Sequence, residues 1–216
     1  MEPIASPAPA PASARSLMYW LLADLFLNCP DEALIDRLRR DLAQAGDCSE
    51  AIEQLSALRE TLPNEAADIS ELPVEYTRLF GALSAHHSPR PPYESVHSSR
   101  AAAETVAHFY VEAGLVPKEP CAPPDHLGVE LRFMALLCHS EAAALSTGEW
   151  AEAAAFSRRQ QSFLDQHLLQ WVPRYLDALQ ADARHPFYRS LATVTATVLD
   201  QDRDAIQTTP IRTRSA

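Results

Sequence analysis

Glycine is scarce in this sequence, with 5 glycines among 216 residues against 17 prolines. A β protein needs glycine in its tight turns, and a phosphate-binding loop needs it where backbone approaches phosphate. The chain contains neither a GxxxxGKS or GxxxxGKT loop nor a GxGxxG turn. Helices joined by proline-containing loops fit this composition better. We therefore predict an all-α fold, arranged as a single compact multi-helix domain.

Basic charge is also in short supply. The 18 Lys and Arg residues are outnumbered by 29 Asp and Glu residues, so the net charge is -11. Nucleic-acid binding requires a basic surface that meets the phosphates, so this charge balance argues against it. An acidic surface instead favours basic partners, including arginine-bearing peptides.

Paired cysteines and long apolar runs are absent as well. The four cysteines form no CxxC pair, which disfavours structural zinc and a redox dithiol and favours reduced thiols. No apolar run reaches the ~20 residues that a membrane span needs. Residues 1–14 contain proline and alanine but no apolar core, unlike a secretory signal. We expect a cytoplasmic protein without stable membrane insertion.

The apolar periodicity divides the chain into a disordered Ala/Pro-rich tail (1–14), a helical domain (15–200) and a flexible C-terminal tail (201–216). Residues 186–199 are ambiguous, because 193–197 are β-branched and alternate, but a lone strand would have no partner, so a helix is favoured. Pro73 is expected near the start of its helix, and Pro173 is expected to restart one. The other predicted helices are 15–27, 32–45, 49–62, 72–83, 100–113 and 149–168.

Residues 119–141 are predicted to form the centre of the domain. Three prolines give an extended entry, and Asp125 stands where a helix N-cap is expected. Beyond it, one apolar stripe follows helical spacing and other apolar residues fill much of the remaining circumference, which is typical of a central helix. The first turn carries three ionisable groups, Asp125, His126 and Glu130. The stripe comprises Leu127, Leu131, Met134, Cys138, Ala142 and Leu145.

Those ionisable groups leave an enzymatic alternative open. His126 and Glu130 are four residues apart and could share a metal with a loop histidine, namely His86, His87 or His97. There is no HExxH motif and no GxSxG context for a serine nucleophile. We predict no metal, no cofactor and no catalytic set. The alternative is a small helical metal-dependent or nucleotide-hydrolysing enzyme that uses His126 and Glu130.

A second cluster is aromatic and apolar: Tyr76, Leu79, Phe80, Pro92 and Tyr93. From the residues alone, a core for this cluster and a helix cap for Asp125 are favoured over a peptide-binding groove.

Four segments resemble the TorD/DmsD family in sequence, order and spacing, and the similarity spans roughly Arg15 to Leu199. They are 75–81 (EYTRLFG), 91–97 (PPYESVH), 119–134 (EPCAPPDHLGVELRFM) and 163–173 (FLDQHLLQWVP). The resemblance implies an all-helical cytoplasmic chaperone for molybdoenzymes of the dimethyl sulfoxide reductase type. Such chaperones bind the catalytic subunit, commonly through its twin-arginine signal peptide, and hold it back from export until the cofactor is inserted.

The resemblance also implies which residues contact the client. Binding rather than catalysis is expected, and the oligomeric state stays open between a monomer and a dimer, with or without domain swapping. Positions 76 and 93 are tyrosine, and position 76 is tryptophan in some relatives, so the groove is expected to be more polar than theirs. The client-contact set is Tyr76, Leu79, Phe80, Pro92, Tyr93, Pro124, Asp125 and His126, with Glu130 beside it.

Overall fold

The computed structural model describes residues 11–44, 55, 58–63, 66–81, 89–115 and 122–208. Every regular element in this part of the chain is helical, which confirms the all-α prediction. A π-helical segment, Leu164–Leu168, joins the seventh helix to the eighth. The helices are α1 (Ala12–Leu27), α2 (Glu32–Gln44), α3 (Ala66–Phe80), α4 (Glu94–His97), α5 (Ala102–Glu112), α6 (Leu127–Thr147), α7 (Trp150–Phe163), α8 (Leu169–Asp182) and α9 (Pro186–Thr208).

Helix α6 is the central element, packed along α1 on one side and α7 on another. Leu131, Met134 and Cys138 on its inner face are completely buried. Gly128 allows the close approach of α1, because a Cβ at this position would lie 2.5 Å from the side chain of Leu27. The predicted stripe fails only at its outer end, where Leu145 is 38% exposed.

A buried polar network connects four helices near the start of α1. The Arg15 guanidinium donates to Glu141 of α6 at 2.6 Å, to Gln160 of α7 at 2.9 Å and to Asp202 of α9 at 3.3 Å. The Tyr19 hydroxyl also donates to Asp202, at 2.9 Å. Because removing one member would leave buried charge unpaired, this network fixes the register of the four helices.

The two proline predictions are wrong. Helix α3 begins at Ala66, so Pro73 lies inside it, and α8 passes through Pro173 without a break. Each proline costs its helix one backbone hydrogen bond. In α8 the buried Trp171, Val172 and Tyr175 surround the proline, and such tertiary packing outweighs local propensity.

Helix α9 confirms the helical interpretation of residues 186–199 but ends later than predicted. It continues to Thr208, and Asp202 in the extension is buried in the Arg15 network. The predicted C-terminal tail is therefore helical over 201–208. Of the predicted helix 49–62, residues 58–60 are helical and most of the remainder lies outside the described residues. Residues 1–10 and 209–216 and the two loop histidines His86 and His87 also lie outside the described residues. In the described part, no helix is long and apolar enough to cross a bilayer.

Candidate functional site

Two loops that precede helices pair with each other, although more than 30 residues separate them. The backbone N–H of Leu127 donates to Pro92 O at 2.9 Å, and that of Glu94 donates to Asp125 O at 2.9 Å. Between these bonds, Tyr93 and His126 form an isolated antiparallel bridge with ring centroids 5.1 Å apart. We call residues 92–95 and 124–128 the junction. It brings together five members of the predicted contact set, Pro92, Tyr93, Pro124, Asp125 and His126.

Asp125 caps a different helix from the one predicted. Its Oδ2 accepts from the backbone N–H of Ser95, 3.0 Å away in α4, and the residue is only 2% exposed. The bridge explains the correction, because pairing of the loops directs Asp125 to the first turn of α4. The N-cap of α6 is His126, whose Nδ1 accepts from Gly128 N–H at 3.1 Å. Burial lowers the pKa of His126 to about 4, although the negative charge of Asp125 opposes this shift. The acceptor is therefore a neutral imidazole.

Glu130 is completely buried one turn into α6. The indole N–H of Trp171 donates to its Oε2 at 3.3 Å, whereas no described residue hydrogen-bonds to its Oε1. Burial, followed by the nearby charge of Glu94, raises the pKa of Glu130 well above its ordinary value. The neutral acid is therefore favoured, and its proton is available to the neighbouring carboxylate of Glu94.

Glu94 is the residue of this site that sequence reasoning missed, together with His167 and Trp171. Its carboxylate lies 2.8 Å from Nδ1 of His167, and both side chains are nearly buried. We call Glu94, Asp125, Glu130 and His167 the acid cluster. Glu94, His167 and Trp171 lie within segments 91–97 and 163–173, so those motifs contained the signal.

The predicted aromatic surface is largely core. Leu79 is fully buried, and the ring of Phe80 packs edge-on against Tyr76, with centroids 4.8 Å apart. Tyr76 is half-buried, and its hydroxyl donates to Phe26 O at 2.9 Å. Burial, followed by the nearby Cys29 and Tyr93, raises the pKa of Tyr76 to about 12. Tyr76 on α3 and Tyr93 and Pro124 in the junction are each half-buried, and we call these three residues the accessible edge.

Among the described candidates, His97, His126 and Glu130, the proposed metal set does not assemble. Among the described residues no group of three His, Cys, Asp or Glu side chains could hold a metal ion. His97 instead stacks on Trp171 with centroids 5.1 Å apart, and its Nε2 lies 3.0 Å from Pro91 O. His126 and Glu130 are likewise engaged within the fold, through Gly128 and Trp171.

An open groove runs beside the acid cluster. Two adjoining clefts of about 560 and 570 Å³ lie between α5 and the α7–π segment and share Phe109 and Gln166. Glu94 and His167 line the second cleft, so the acid cluster forms part of its wall. We call the two clefts together the α5 groove.

The all-α fold of this chain is shared with a solved structure. A crystal structure of a candidate redox enzyme maturation protein from Archaeoglobus fulgidus superposes with a TM-score of 0.50. It covers 91% of this chain and 99% of that one at 21% identity, which shows a shared fold. The family model described as the nitrate reductase delta subunit matches residues 44–177. The chain belongs to this family, and the resemblance to TorD/DmsD is confirmed.

Curated relatives extend the similarity over the chain. A chaperone protein TorD from Shewanella sp. (strain ANA-3) is 28% identical over 214 residues, 90% of this chain and 94% of that protein. A selenate reductase assembly chaperone protein from Thauera selenatis is 47% identical over 58 residues, 27% of this chain and 29% of that protein. A chlorate reductase assembly chaperone protein from Ideonella dechloratans is 45% identical over 58 residues, 27% of this chain and 29% of that protein.

Proposed function

We propose that this protein is a cytoplasmic chaperone for the catalytic subunit of a dimethyl sulfoxide reductase-type molybdoenzyme. It binds the subunit through its twin-arginine signal peptide, assists cofactor insertion and delays export. The observation that carries the proposal is the nearly full-length similarity to chaperones named TorD. The shorter matches are to assembly chaperones of two reductases, which supports a reductase subunit as the client.

In this proposal the accessible and the buried residues of the junction have different roles in client binding. Its accessible edge, Tyr76, Tyr93 and Pro124, offers aromatic and apolar surface to the client subunit. Asp125 and Glu130 are buried, so in the proposal they hold the junction in place through their hydrogen bonds with Ser95 and Trp171. Tyrosine suits this role, because its ring contributes apolar contact area while its hydroxyl tolerates water.

Calorimetry with a synthetic twin-arginine signal peptide tests the proposal. We expect about micromolar affinity, roughly −8 kcal/mol, that weakens as salt is raised. Replacing both peptide arginines by lysine keeps the charge but removes the bidentate fork, so modest weakening is expected. Equal binding of an unrelated amphipathic peptide without paired arginines would contradict specific recognition.

A further inference from the structure

The middle of the α5 groove is apolar. Phe109 is half-buried and stands at the boundary of the two clefts, with its ring centroid 5.6 Å from that of Phe163. Phe133 lines the first cleft and packs on Phe163 at 4.8 Å. The flanking helix α5 has 11 residues, so its axis is about 16 Å long. The groove is therefore about as long as three turns of a bound helix, and the half-buried Phe109 is its accessible ring, since Phe133 is 3% exposed.

The two ends of the groove differ in charge. Arg158 and Arg159 lie at the first end, both are exposed, and neither forms an ion pair with a described residue. Glu112 also lines this end, but its carboxylate is 3.0 Å from Nε2 of His108. The second end carries the exposed Glu104, and the nearly buried Glu94, whose carboxylate is 2.8 Å from Nδ1 of His167, lines its wall.

This arrangement of charges matches a bound peptide helix whose N-terminal residues are positively charged. Guanidinium groups form charge-assisted hydrogen bonds with carboxylates, so arginines at the N-terminus of a ligand are favoured at the Glu94 and Glu104 end. The last carbonyls of a helix carry partial negative charge, which exposed cations stabilise. Arg158 and Arg159 provide those cations at the opposite end.

We infer that the α5 groove binds the client's signal peptide as a helix in one direction, with its arginine pair at Glu94 and Glu104 and its C-terminal end at Arg158 and Arg159. The inference rests on the proposed function, because the occupant is the signal peptide. Glu94 belongs to the junction as well as to the groove, so the arginine end of the peptide adjoins the accessible edge. The apolar segment then lies on Phe109.

Charge variants at the two ends test the site. The probe is a synthetic peptide with two adjacent arginines followed by an apolar segment of about 11 residues, one for each residue of α5. We expect Glu104→Lys to weaken its binding roughly tenfold, and the double variant Arg158→Glu with Arg159→Glu to weaken it by a similar factor. A peptide with glutamate in place of arginine should regain affinity for Glu104→Lys but not for the wild type.

Matched controls come from the exposed face of α8. Asp177 and Arg174 are exposed and line neither cleft. Asp177→Lys therefore matches the charge change of Glu104→Lys outside the groove, and Arg174→Glu matches that of each single Arg→Glu substitution. Both should change affinity by less than about threefold, the effect of a distant surface charge. Thermal melts of all variants show whether the fold is retained, which is expected because the substituted side chains are exposed.

Direction is tested with the probe in reversed sequence order and with a spin label. The reversed peptide has the same composition but carries its arginines at the end, and we expect it to bind at least about fivefold more weakly. A nitroxide on the N-terminus of the original peptide should broaden the amide NMR signals of Glu104 and Thr105. The same label on the C-terminus should broaden those of Arg158 and Arg159.

The outcomes separate the inference from the function on which it rests. If the peptide binds the wild-type chain but the groove variants match their α8 controls, the groove is not the site and the chaperone proposal stands. If the broadening pattern is reversed, the assigned direction is wrong. If no twin-arginine peptide binds, the proposed signal-peptide recognition fails and the groove assignment fails with it.

Discussion

Replacing Glu130 by glutamine exchanges a buried acid for an amide of nearly the same shape. The side-chain oxygen of the amide can still accept from the Trp171 indole N–H, which lies 3.3 Å from Oε2 in the parent. Because burial and the charge of Glu94 raise the pKa of Glu130, the folded protein already favours the uncharged acid. We therefore expect Glu130→Gln to fold, and its stability relative to the parent to depend on pH.

The direction of this pH dependence of stability follows from proton linkage. A raised pKa means that the folded state holds a proton that the unfolded state releases above about pH 4.3. The parent's stability from this group is thus fully present below that pH and is lost as pH rises towards the folded pKa. The amide has no such proton, so the free energy of unfolding of the parent should fall relative to the variant by about 1.4 kcal/mol per pH unit in this interval.

Urea unfolding of both proteins at a series of pH values from 4.5 upward measures this difference. Glu71→Gln on the exposed face of α3 is the matched control, since it removes a solvated carboxyl. Parallel curves of unfolding free energy against pH for the parent and Glu130→Gln would show that Glu130 binds its proton equally well in the folded and unfolded states. The buried neutral acid in our account would then be refuted.

Three further substitutions test other parts of the structure by thermal or urea unfolding. Asp125→Ala removes the acceptor of the Ser95 N–H and should cost about 1–3 kcal/mol, and a cost within error would show that Asp125 does not cap α4. Leu131→Ala leaves a cavity under α6 and should cost about 2–5 kcal/mol, whereas Leu145→Ala near its exposed end should cost far less. Gly148→Ala should cost about 1 kcal/mol, because φ is 79° there, and an unchanged stability would contradict that conformation.

Local patterns predicted most of the longer helices, but not α4 or the π-helical segment. Helix α2 begins at Glu32 as predicted, because Pro30 and Asp31 are a helix start signal and a narrow apolar stripe follows them. The core position of α6 was predicted from its nearly continuous apolar surface. Local patterns failed at Pro73 and Pro173. There the packing of the surrounding helix determines whether the helix continues through the proline, and sequence spacing carries no information about that packing.

The site was only partly predictable. Asp125, His126 and Glu130 could be singled out, since ionisable groups at the start of an apolar helix are unusual. Their partners could not, because the bridge between Tyr93 and His126 depends on contacts between loops far apart in the chain. Whether the contact set binds a client stays a prediction, and the burial of Leu79 and Phe80 directs the test to Tyr76 and Tyr93.

The central claim is that the chain assists cofactor insertion into a molybdoenzyme. The most direct measurement is the molybdenum content of the purified catalytic subunit of a dimethyl sulfoxide reductase-type enzyme from the same organism, expressed with and without this protein. We predict a higher fraction of molybdenum-loaded, active subunit when the chain is present. Equal molybdenum content and equal activity in the two preparations would contradict the account.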